Sequence, residues 1–141
     1  MKISPFKIRP VPAIIAMSGL IAAVTLIAGP VAGINRTILL KQDSTITGRE
    51  GIVASVDIAP GTAEGRHTHP ADVYGYVLEG SPTMQRDGSP TVTFHAGEAF
   101  YIPAGIVHQG LNNSAAPAKI VVVFLAEKGK PLTVPVTVPT P

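Results

Sequence analysis

Apolar and polar residues alternate through the body of the chain with a period of two. Ile52, Ala54, Val56 and Ile58 are interleaved with Val53, Ser55 and Asp57. Such spacing sends one set to one face of an extended backbone, so it predicts a half-buried strand, ended by Pro60-Gly61. Further strands are predicted over 73–78, closed by Glu79-Gly80, and over 83–86, leading into an Asp87-Gly88 hairpin turn. Residues 91–94 follow, then 99–102, stopped by Pro103-Ala104-Gly105, then 107–111, ended by Asn112-Asn113. The run 119–126 is apolar almost throughout and predicts a strand buried on both faces. Turn signals recur about every 8–12 residues, and no amphipathic helical pattern follows residue 34. The expected fold class is all-β, a sandwich or barrel.

The two ends break this pattern. Residues 1–33 combine a short basic start, an apolar run and a small-residue site at Val31 and Gly33. That is the three-part layout of a secretory signal peptide. The alternative is an uncleaved anchor, with residues 11–29 as the one contact with a membrane. Either places the body outside the cytoplasmic membrane, periplasmic or secreted. Residues 131–141 carry Pro131, Pro135, Pro139 and Pro141, which predicts an extended edge or polyproline-like arm. The expected organisation is therefore a leader over 1–33, one domain over 34–130 and a Pro-rich tail over 131–141.

Composition and charge narrow the function classes. The 141 residues include 14 Gly, 14 Pro and no Cys, which favours short strands and excludes thiolate metal sites and a cysteine nucleophile. The net charge of +2 is misleading, because Lys2, Lys7 and Arg9 all fall in the leader. The rest holds eight Lys/Arg against nine Asp/Glu, net −1, without a basic run, so nucleic-acid binding is set aside.

Two stretches carry the chemistry. In GTAEGRHTHPADVYGYVLEG, Gly61 to Gly80, alternation puts His67 and His69 on one strand face. In GEAFYIPAGIVHQGLN, Gly97 to Asn112, His108 opens another strand after a Pro-Ala-Gly turn. In a small barrel the three imidazoles can converge on a divalent transition metal and leave its other positions to water or substrate. His95 matches neither stretch and is expected in solvent. Arg66 and Glu64 are expected to be solvated charges on a loop, and Asn112 to fix a turn.

These stretches resemble the two motifs of the cupin family. Gly97, Pro103, Gly105, His108 and Asn112 fit the second motif at every position. Gly61, His67, His69 and Gly80 fit the first, but its Glu falls on Val73. The resemblance spans residues 50–126 and implies a double-stranded β-helix, or jelly roll, with a metal inside the barrel and often a homodimeric assembly. Within the family it is similar to small, single-domain, quercetin-dioxygenase-like members.

Four answers to the missing acid stand at this point. The favoured one is a three-His site with water in the fourth place, as in cupins built around three His and Fe(II). Asp72 turned inward, Tyr74 or Glu79 as ligand, and a metal-free site for an organic ligand are the others. Fe(II) is the expected ion, with Mn, Ni, Cu or Zn admitted by imidazole ligation. The expected function is a dioxygenase-like oxidoreductase acting on a small organic molecule. The alternative is a non-catalytic metal or small-ligand binding module.

Overall fold

The computed structural model describes residues 31–137. The predicted leader, apart from Val31–Gly33, lies outside the described residues, as does the end of the tail. Eleven strands and no helix make up the described part. They are β1 (Ile34–Asp43), β2 (Arg49–Ile58), β3 (Thr62–Ala63), β4 (His67–Thr68), β5 (Ala71–Glu79), β6 (Thr83–Arg86), β7 (Val92–Thr93), β8 (Ala99–Ile102), β9 (His108–Asn112), β10 (Ala118–Glu127) and β11 (Val134–Pro135). Among the described residues no helix is long and apolar enough to cross a membrane.

One sheet runs β1-β2-β10-β5-β8; the other runs β11-β4-β9-β6-β7, with β3 alongside β9. Every pairing is antiparallel. With two such sheets and no helix, the fold is the cupin type of jelly roll that the two motifs imply.

The first sheet supplies most of the core. On β2 the side chains of Ile52, Ala54, Val56 and Ile58 are buried, as the period-two pattern requires. Register aligns Ile52 with Phe124, Phe124 with Val73, and Val73 with Ile102. This row crosses four strands and forms one layer of the core. Each fully buried aliphatic side chain of this kind contributes about 1.5–3 kcal/mol. Gly80 closes β5 with φ +79°, and a Cβ there would lie 2.5 Å from the Pro117 carbonyl. The turn signal at Glu79-Gly80 thus has a steric basis.

One expectation needs correction, and one strand lies outside the alternating pattern. The apolar strand β10 is central in its sheet but buried on only one face: Ile120, Val122, Phe124 and Ala126 point inward, while Val123 is exposed. Among the described residues nothing covers the sheet's second face, so an apolar sequence does not make a doubly covered strand. β1 was not among the predicted strands. Its sequence, INRTILLKQD, does not alternate: every residue after Arg36 is exposed, and a register shift between Ile38 and Leu40 interrupts its pairing with β2.

Residues 31–33 are part of the fold. The Ala59 N–H donates to the Gly33 carbonyl at 2.8 Å, and the Ile34 N–H to the Val31 carbonyl at 2.9 Å. Asn112 has no exposed surface and acts as the expected turn fastener. Its Nδ2 donates to the carbonyls of Ile58 (3.0 Å) and Ala116 (2.8 Å), and its Oδ1 accepts from the N–H and hydroxyl of Ser114.

Candidate metal centre

The site is built on the short strands of the second sheet. His67 opens β4 and His69 follows its end, so alternation sends both rings inward and Thr68 between them outward. His108 opens β9 and is the direct cross-strand partner of His67. That pairing brings the two rings to a centroid separation of 4.4 Å; His67 and His69 lie at 4.8 Å, His69 and His108 at 5.0 Å. All three are buried, and one ligand atom from each falls within 4.8 Å of the others. The structure therefore brings together the three histidines that the sequence singled out. His95 is exposed and stands apart, near Ser81.

The hydrogen bonds decide which nitrogens face one another. His67 Nδ1 lies 2.8 Å from the Gly65 carbonyl, His69 Nδ1 2.7 Å from that of Leu132, and His108 Nδ1 2.9 Å from that of Ile106. A carbonyl only accepts, so each Nδ1 carries the proton and donates it. Each Nε2 is left with a lone pair. Three buried Nε2 lone pairs in one place suit a transition metal, and a backbone acceptor behind each ring is how metal-binding imidazoles are commonly held.

Electrostatics agrees with neutral rings at His69 and His108. Burial, then the neighbouring His67, lowers the His69 pKa to about 3, against the opposing bond to Leu132. Burial also lowers that of His108.

The alternatives for the missing acid can now be placed. Val73 is 2% exposed and forms cavity wall beside the imidazoles. Asp72 points the other way, where its carboxylate accepts from the Tyr101 hydroxyl (2.9 Å) and the Ala104 N–H (3.3 Å). Tyr74 is exposed on the outer face, and Glu79 is exposed at the end of β5. None of these three reaches the histidines, so three imidazoles without the motif acid remain.

The rings open into a cavity of about 70 Å³, enough for one compact organic molecule or a handful of waters. Its walls are mainly apolar, including Val56, Phe94, Phe100, Ile120 and Phe124. Phe100 faces this space while its neighbour Tyr101 faces out; Met84 is buried and lines it too.

Three contributors escaped the sequence reading. The tail is one: β11 pairs with β4, and the buried Leu132 just before it supplies the carbonyl that orients His69. A Pro-rich composition gave no sign of this. The others are Arg36 and Glu64. Arg66 does pair in solvent, with Asp87 at 2.5 Å, but Glu64 turns inward to meet Arg36 at 2.7 Å, and both line the cavity. The expectation of a solvated Glu64 is thus corrected. A half-buried partner on β1, a strand without alternation, draws it in.

The comparisons with known proteins agree with this architecture. The cupin domain family matches residues 54–124, half of the chain, and the chain belongs to that family. Germin-like protein subfamily 2 member 2 of Arabidopsis thaliana is 38% identical over 77 residues, covering 51% of this chain and 35% of that protein. The rhicadhesin receptor of Pisum sativum is 32% identical over 90 residues, covering 60% of this chain and 42% of that one. The chain thus spans less than half the length of these curated relatives. Among solved structures, recombinant oxalate oxidase in complex with glycolate superposes with a TM-score of 0.60 at 28% identity, covering 73% of this chain and 55% of that one.

Proposed function

We propose that this cupin binds one divalent transition metal through Nε2 of His67, His69 and His108 and acts as a dioxygenase-like oxidoreductase on a compact organic molecule. The observation that carries the reading is the set of three buried imidazoles, each with its Nδ1 proton committed to a backbone carbonyl. The similarity to an oxalate oxidase, whose structure holds glycolate, supports both an oxidoreductase class and a small oxygen-rich ligand. The kinship with quercetin-dioxygenase-like cupins, read from the motifs, points the same way.

Fe(II) is the proposed ion. When bound, a metal here supplies open positions for small oxygen donors. The chain's own residues fix the three rings, keep His69 and His108 neutral by burial and surround the open side with apolar wall. Three neutral ligands leave the full 2+ charge in place, whereas a motif Glu would have reduced it to 1+. The centre therefore favours an anionic or enolisable substrate.

The three-part pattern of residues 1–33 supports export, with the body periplasmic or secreted, and membrane contact only through 11–29 if the leader is retained. Among the described residues, the exposed Tyr74, Tyr76 and Tyr101 on the outer face of the first sheet support a homodimer. Residues 34–130 are proposed as the folded domain, extended at both ends by the contacts of Val31–Gly33 and Leu132.

The first experiment is elemental analysis of the chain purified without added metal, beside His108→Ala. Near-stoichiometric metal in the first and its loss in the second is the expected result. O2 uptake with candidate substrates after Fe(II) loading then separates catalysis from simple binding. Retention of metal by the variant sinks the three-His assignment.

A further inference from the structure

Apart from the three imidazoles, the only charged side chains on the cavity wall among the described residues are Arg36 and Glu64. Arg36 lies outside the two motifs that locate the histidines, and Glu64 stands at an unspecified spacer position of the first. Arg36 lies on β1 opposite Val56, on the inward face, with 18% of its side chain exposed; Glu64 keeps 13%. Arg36 Nη2 donates to Glu64 Oε1 at 2.7 Å, and the Gly110 N–H donates to Glu64 Oε2 at 3.1 Å. Gly110 stands two residues beyond His108 on β9. A Cβ at 110 would lie 2.6 Å from that same Oε2, so the absent side chain is what lets the carboxylate sit there. Both side chains line the same cavity as the three histidines.

A part-buried ion pair is a poor way to gain stability, because what its attraction returns is largely spent on removing the two charges from water. Its value is in what it presents. Guanidinium carries five N–H donors in a planar fork, and one of them is used by Glu64. Glu64 balances the charge of Arg36, so what the arginine offers an incoming group is direction more than net field. A mainly apolar cavity with one polar anchor at its wall fixes which way round a ligand enters.

We propose that Arg36, braced by Glu64 on the Gly110 seat, is the specificity residue of this cavity. It takes one carboxylate of a compact dicarboxylate-type substrate whose other end lies at the three histidines. This deepens the metal-centre reading above and rests on it for the second anchor. The cavity volume of about 70 Å³ limits the ligand to a few carbons.

The test is a calorimetric titration with oxalate, malonate, succinate and acetate, on metal-loaded and metal-free protein. The proteins are wild type, Arg36→Gln and the Arg36→Gln/Glu64→Gln double variant. The double variant removes the carboxylate that the single one leaves unpaired, so a loss seen in both is not an effect of stray negative charge. Wild type is expected to bind at least one dicarboxylate about tenfold or more tighter than acetate, and both variants to lose most of that ratio while keeping their metal. No dicarboxylate preference in wild type, or an unchanged ratio in the double variant, overturns the proposal. If wild type takes up no metal, the metal-centre reading fails by itself. The same ratio measured on metal-free protein then decides the role of Arg36 by the same criterion.

Discussion

At the scale of single residues, Val73 sets the character of the centre. It occupies the motif's acid position, faces the imidazoles and is almost fully buried. Restoring the acid tests this directly. In Val73→Glu the metal-free protein should be destabilised by about 1–3 kcal/mol, because a carboxyl group enters an apolar wall without a partner. Metal should then raise its melting temperature by more than it raises that of wild type. An equal or smaller metal-induced rise would show that position 73 does not address the ion. The histidines make a second prediction, for pH. His69 has a pKa of about 3 in the folded, metal-free chain and 6.5 when exposed. Between those values the unfolded chain binds a proton that the folded chain refuses, so stability falls as pH drops from 6.5 towards 3. The slope from this group reaches about 1.4 kcal/mol per pH unit, and the lowered pKa of His108 acts in the same direction. Thermal melts of chelator-treated protein from pH 7.5 to 5 should show the decline, and His69→Gln should flatten it. Identical slopes in the two proteins would refute the assignment. The three histidines were legible in the sequence because an H-x-H on a strand has one geometric outcome. Glu64 was not, because a loop carboxylate defaults to solvent unless a buried partner is known.

At the scale of elements, legibility followed how far each strand obeyed alternation. β2 does so over its whole length, and its buried face matched the pattern residue by residue. The segment before it does not, and β1 went unseen, together with the Arg36 it carries into the cavity. The tail shows the same limit from the other side. Proline content predicted an extended edge segment, and β11 is one, but composition holds no information about which edge it joins. It joins β4, placing Val134 opposite Thr68 and Pro135 opposite His67, and so brings the Leu132 carbonyl to His69. An acceptor behind a metal-binding imidazole is commonly worth 10–100-fold in metal affinity, so ending the chain after Lys130 should cost about that factor. Competition against a chromophoric chelator measures it. Unchanged affinity in a truncated protein that still folds would mean that the tail serves the core alone.

At the scale of the whole molecule, the two sheets divide the work. The second sheet is made of short strands and holds the histidines; the first holds the core and, among the described residues, its far face is uncovered. On that face Tyr74, Tyr76, Tyr101 and Val123 are 52, 47, 44 and 39% exposed. The rings of Tyr74 and Tyr101 lie 5.2 Å apart across the β5–β8 pair, and the Tyr101 hydroxyl is held by Asp72, so this part of the face is pre-ordered. A contiguous apolar and aromatic surface on a sheet is unusual for a chain that stays alone in water. Tyrosines bring large contact area at little entropic cost, which suits a self-complementary patch on a two-fold axis. The proposed homodimer therefore has a definite face, and it lies on the side of the first sheet away from the cavity, so assembly need not obstruct the site. Light scattering should give twice the monomer mass for wild type at micromolar concentration, and Tyr74→Glu/Val123→Glu should give the monomer with its metal content intact. Those two positions are neighbours across β5 and β10, and two carboxylates there would meet two more on the partner. A monomeric wild type would remove the dimer, and a double variant that stays dimeric would move the interface to another surface.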